Sequence, residues 1–95
     1  MLKIEKQAEG EITVLKLVGR ICAPHLDELG KLIAQTQGVV KLDLGEVTLV
    51  DRDVIRFLGN QELLGAQLAN CSRYIREWIQ REQTTNTTQP NETGG

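Results

Sequence analysis

The stretch Val39-Val40-Lys41-Leu42-Asp43-Leu44-Gly45-Glu46-Val47-Thr48-Leu49-Val50-Asp51-Arg52-Asp53 constrains this chain more than any other. It opens as a mostly apolar run, residues 39–44, which reads as a strand buried on both faces. A short irregular connection then leads to Asp51, a residue type that caps helices by accepting from a free backbone N–H two or three positions on. A central strand that feeds a loop and a capped helix is where an α/β domain usually places its site. The flanking pattern agrees with that class. Residues 1–8 alternate as a strand with one wet face, Glu9-Gly10-Glu11 supplies a turn, and Ile12, Val14, Leu15, Leu17 and Val18 make a second strand. So short a link predicts an antiparallel hairpin with the first strand at the sheet edge, where Lys3 and Lys6 discourage edge pairing.

Pro24 suits the first turn of a helix, because the N–H it lacks is not needed there. Leu26, Leu29, Leu32 and Ile33 recur at helical spacing until Gln37-Gly38 ends the pattern. Strand, helix and strand in that order predict a right-handed crossover and a parallel pairing. After Asp51, Val54, Ile55, Leu58, Leu63 and Leu64 predict a second helix, interrupted at Gly59 and closed at Gly65. Residues 66–71 read as a last short strand. Ser72 then caps a third helix whose apolar stripe is Tyr74, Ile75, Trp78 and Ile79, with Arg73, Glu77 and Arg81 opposite at i, i+4 spacing. The sum is ββαβαβα, an α/β domain with a small mixed four-stranded sheet and helices packed on it.

Residues 84–95 carry no large apolar side chain and are expected to form a flexible polar tail, leaving one domain over residues 1–83. A unit of that size buries about 60–65% of its unfolded surface, enough for a core without staples. The formal charge of −2 offers no overall field toward nucleic acid or an anionic membrane. No apolar run approaches 18 residues, and with no secretion signal both Cys22 and Cys71 read as reduced thiols of a cytoplasmic protein.

Catalytic constellations are missing from the pattern. His25 is the sole histidine and has no partner at ligand spacing, so a solvated helix-terminal role is expected and no metal or cofactor is called for. Cys71 precedes a helix N-terminus, yet a buried apolar cysteine at a strand end accounts for it better than a reactive thiol does. Neither a dinucleotide fingerprint nor a P-loop is present. Asp51-Arg52-Asp53 stands apart. An N-capped helix with acidic residues in its first turn explains the two carboxylates, and the position after the central strand makes the triplet a candidate site.

In order and spacing, several segments together resemble the STAS domain, the fold of bacterial anti-sigma factor antagonists. They are Leu17-Val18-Gly19-Arg20-Ile21, the central strand Val39-Val40-Lys41-Leu42-Asp43-Leu44, Val47-Thr48-Leu49-Val50-Asp51, and Leu68-Ala69-Asn70-Cys71-Ser72-Arg73-Tyr74-Ile75. The resemblance spans residues 1–82. In that family the loop after the central strand typically reads Asp-Ser-Ser-Gly or Asp-Ser-Thr-Gly, and a partner kinase that is itself an anti-sigma factor phosphorylates the hydroxyl after the Asp. The unmodified domain binds that partner and the phosphorylated one lets go. Here Asp51 matches the Asp, Arg52 takes the phospho-acceptor position, Asp53 the second hydroxyl and Val54 the Gly. The resemblance therefore implies an interaction module without the usual phosphorylation switch; Thr48 and Ser72 are nearby hydroxyls off the matching position.

The resulting expectation is a non-enzymatic protein–protein interaction module in a bacterial regulatory system, using Thr48, Asp51, Arg52, Asp53 and Arg56. Its partner would be an anti-sigma-type kinase or another regulatory or transporter component, with no nucleic acid and no membrane insertion. Arg52 and Arg56 are the anchors, four apart on one helical face, because Arg is enriched in interfaces. The competing expectation is an anionic-ligand domain for a nucleotide or lipid headgroup at the same helix terminus, or a subunit of a transporter assembly.

Overall fold

Two strands, β1 (Leu2–Glu9) and β2 (Ile12–Arg20), pair antiparallel around Gly10, whose φ of 63° suits a tight turn. The structure is a computed structural model that describes the backbone of residues 2–88 and the side chains of residues 2–83. A 3-10 turn (Ala23–His25) leads into α1 (Leu26–Gln35), followed by β3 (Val39–Leu49), α2 (Arg52–Leu63), β4 (Gln67–Ala69) and α3 (Arg73–Thr88). The four strands lie side by side in the order β1-β2-β3-β4, with β2–β3 and β3–β4 parallel. The mixed sheet and the ββαβαβα order are as the sequence predicts. The last helix reaches Thr88, so its final five residues fall inside the stretch expected as a tail; residues 89–95 lie outside the described residues.

The core lies on one face of the sheet. Leu15 and Leu17 of β2 and Val40, Leu42 and Leu44 of β3 join Leu29 of α1, Val54, Ile55 and Leu58 of α2, and Ile75 and Ile79 of α3 in one cluster. Each fully buried Leu or Ile contributes roughly 1.5–3 kcal/mol relative to leaving it in water. The strand expected to be buried on both faces is buried on one. With the helices on a single side, Lys41 and Asp43 alternate onto the open face, which explains why a charge interrupts each apolar pair. That open face is polar and internally paired: Lys16 Nζ meets Glu46 Oε2 at 2.9 Å, and Asp43 Oδ1 accepts from the Gly45 N–H and from Asn70 Nδ2, both at 3.0 Å.

Three local expectations are corrected. The connection after Leu44 is strand: β3 continues to Leu49, shifting register against β2 on the way. Gly59 does not interrupt α2. It is buried where α3 crosses, and a Cβ there would stand 3.4 Å from Ile79 Cγ2 and 3.1 Å from Gln83 Nε2, so the missing side chain admits the neighbouring helix. Tyr74 leaves the expected apolar stripe. It is 56% exposed, and its ring lies 5.7 Å from the half-buried Trp78, while Ile75 and Ile79 alone are fully inside.

Contacts between α2 and α3 run antiparallel. Glu62 near the end of α2 pairs with Arg76 near the start of α3 (2.9 Å), Gly59 meets Ile79, and Arg56 at the start of α2 meets Glu82 (3.1 Å). The later turns of α3 are thereby delivered to the amino end of α2. Among the described residues no helix is long and apolar enough to cross a membrane.

Candidate docking site

The amino end of α2 is fixed from both sides. Asp51, extended at φ −111° and ψ −179°, accepts from the Val54 N–H at 3.0 Å, and Val54 and Ile55 are buried one step later. A cap of this kind stabilises a helix by about 1 kcal/mol. With Val54 and Ile55 facing inward, helical geometry turns Arg52, Asp53 and Arg56 outward, and all three are exposed. Thr48 is exposed near the end of β3, and no hydrogen bond among the described residues links it to the arginines. Ser72, the other hydroxyl considered, is engaged as the cap of α3, its Oγ accepting from the Ile75 N–H at 3.2 Å.

Arg52 and Arg56 converge on one carboxylate that the sequence pattern did not single out. Arg52 Nε lies 3.3 Å from Glu82 Oε2 and Arg56 Nε 3.1 Å from Glu82 Oε1. The arginine side chains remain 61% and 47% exposed, whereas Glu82 beneath them is 14% exposed. The hydrogen bond from Arg56 and the charge of Arg52 hold the Glu82 carboxyl below the usual carboxylate range, against a smaller opposing effect of burial. Ile55, Gly59, Asn60 and Gln83 continue this cluster as a groove of about 190 Å³ between α2 and α3. Chemically the arrangement is a pair of presented guanidiniums braced from below, suited to recognising a surface and offering no nucleophile beside a base.

The remaining titratable candidates are spoken for elsewhere. His25 is half-buried instead of solvated, because its Nδ1 accepts from the Cys22 N–H at 3.1 Å to close the 3-10 turn. Burial pushes the Cys71 thiol up, away from the thiolate a reactive cysteine needs. No group of His, Cys, Asp and Glu among the described residues is arranged to hold a metal ion. At the opposite end of α2 a second concavity, about 470 Å³, is lined by Ile33, Ala34, Val39 and Leu64 among others. Leu63 and Leu64 stand beside it at 75% and 80% exposure.

Among solved structures, the chain superposes on the anti-sigma factor antagonist SpoIIAA in its unphosphorylated form. The TM-score is 0.63 and the identity 15%, over 87% of this chain and 81% of that one. The chain shares the fold of that structure. At that identity the likeness is one of architecture, and it agrees with the STAS resemblance read from the strand and helix patterns. A further structure, described as "Crystal Structure Analysis of Mglu", aligns with 68% of this chain and 18% of its own at 25% identity, with a TM-score of 0.49, below the level of a shared fold. No family model matches the sequence. No curated protein matches it either.

Proposed function

We propose that this chain is a non-enzymatic protein–protein interaction module of the anti-sigma factor antagonist kind, working in the cytoplasm of a bacterium. It docks a regulatory partner, an anti-sigma-type kinase or a transporter component, through the amino end of α2, with Asp51, Arg52, Asp53 and Arg56 at the centre and Thr48 at the margin. The observation that carries this reading is the pair of exposed guanidiniums at the start of α2, on the fold of an antagonist. Arg side chains make strong interface anchors because the planar fork gives several directional hydrogen bonds without losing its charge. In the sequence pattern Arg52 stands where the family carries a phosphorylated hydroxyl. A phosphoserine would add about −1.5 to −2 charges there, whereas Arg52 adds one positive charge that no kinase removes, so binding is constitutive with respect to that position.

The anionic-ligand alternative is the weaker reading. Asp51 already accepts from the Val54 N–H at 3.0 Å, one of the helix-terminal donors that a nucleotide phosphate or lipid headgroup would use. Co-purification tests the docking reading. A partner retained by the native protein and by Lys3→Glu, on the open face, is expected to be lost from Arg52→Glu and Arg56→Glu. Retention of every partner by both arginine variants would overturn it.

A further inference from the structure

Among the residues of α3 whose side chains are described, Ile79 is the last buried one, and from Gln80 to Thr88 the sequence reads Gln-Arg-Glu-Gln-Thr-Thr-Asn-Thr-Thr, with no aliphatic or aromatic side chain. Among the described residues of this half, the contacts to α2 are polar, with Glu82 on Arg52 and Arg56 and Gln83 Nε2 donating to the Gly59 carbonyl at 3.3 Å. Exposed or half-exposed ion pairs hold weakly, and a helical segment without apolar anchors sits at the low end of local stability. Thr and Asn are also poor helix formers, so local propensity adds little at this end. The segment nevertheless lies against the two side chains that a partner would have to reach.

We infer that the distal half of α3 is a detachable cover on the docking face, in which Glu82 occupies Arg52 and Arg56 until a carboxylate from an acidic segment of the partner protein takes its place. This rests on the docking reading above and adds the regulation of that site. Exchange of one carboxylate for another leaves the guanidiniums paired, so opening breaks the Gln83 hydrogen bond and the packing of a polar helix end while the ion pairs are replaced. A ligand shifts such an equilibrium in proportion to its preference for the open state. Removing Glu82 does part of that work beforehand and raises the apparent affinity for the competing carboxylate.

The test uses the full chain, with a synthetic hexaglutamate peptide as probe and amide hydrogen exchange as a second readout. Glu82→Gln is expected to bind the peptide at least threefold more tightly than the native protein. It should also exchange at least threefold faster at amides 80–83, with amides 75–79 unchanged. Glu77→Gln removes the same charge from the same helix away from the two arginines and is expected to leave both readouts at native values. Adding Arg52→Gln and Arg56→Gln to Glu82→Gln should abolish the gain in affinity. Unchanged or weakened peptide binding by Glu82→Gln, or an equal gain in Glu77→Gln, would overturn the cover. Either result leaves the docking reading standing if Arg52→Glu or Arg56→Glu still sheds its partner; retention of every partner by both arginine variants overturns the docking reading itself.

Discussion

The two halves of α3 are held by different physics. From Arg73 to Ile79 the helix is capped by Ser72, plants Ile75 and Ile79 in the core, and closes on α2 through Arg76 and Glu62. Over Gln80–Gln83 its described contacts with α2 include one carboxylate shared by two arginines and one amide on a backbone carbonyl. The first half is part of the fold. The second half lies against the candidate docking face and reaches it through Glu82.

Substitutions graded along α3 sharpen that contrast. Ile79→Ala opens a cavity under the last anchored turn and is expected to cost about 2–4 kcal/mol of unfolding free energy, measured by urea denaturation. A cost as small as that of a surface residue would mean the proximal half is not core. Ser72→Ala removes the cap and should cost about 1 kcal/mol by the same measurement.

Acid should act on the second half through Glu82. Arg56 and Arg52 depress the Glu82 carboxyl below its ordinary value of 4.5, so the folded state binds fewer protons there than the unfolded chain. The contribution is fully present above pH 4.5 and is lost as pH falls through the depressed value. Exchange at amides 80–83, corrected for intrinsic rates, should therefore speed up relative to amides 75–79 only below pH 4.5, and not in Glu82→Gln. The smallest effect is expected from a chain ending at Gln83, which should melt within experimental error of the full chain; a fall of several degrees would mean that residues past Gln83 pack on the domain.

What the sequence disclosed follows the range of the interactions. Asp51 and Ser72 were legible because a cap acts over three residues, and the strand–helix alternation was legible because periodicity is local. Glu82 was not legible, since it meets Arg56 across 26 positions and only the antiparallel crossing of α3 on α2 brings them together. Gly59 looked like a helix breaker for the same reason; its function is to admit Ile79, a contact invisible along the chain. The run at residues 39–44 suggested a doubly buried strand because four of its six residues are large and apolar, but placing every helix on one face leaves Lys41 and Asp43 on the other. Tyr74 shared the helical period of the core residues, yet it stands 56% exposed, because period alone does not encode which edge of the stripe meets a neighbour.

The docking account is tested most directly by site-specific photo-crosslinking in the native cell. A photoreactive residue in place of Asp53, exposed beside Arg52, is compared with one in place of Gln7, exposed on β1. The account predicts a discrete protein adduct from position 53 that disappears when Arg52→Glu and Arg56→Glu are added, and none from position 7. An adduct from position 7 but not from position 53, or an adduct at position 53 indifferent to both arginines, would contradict it.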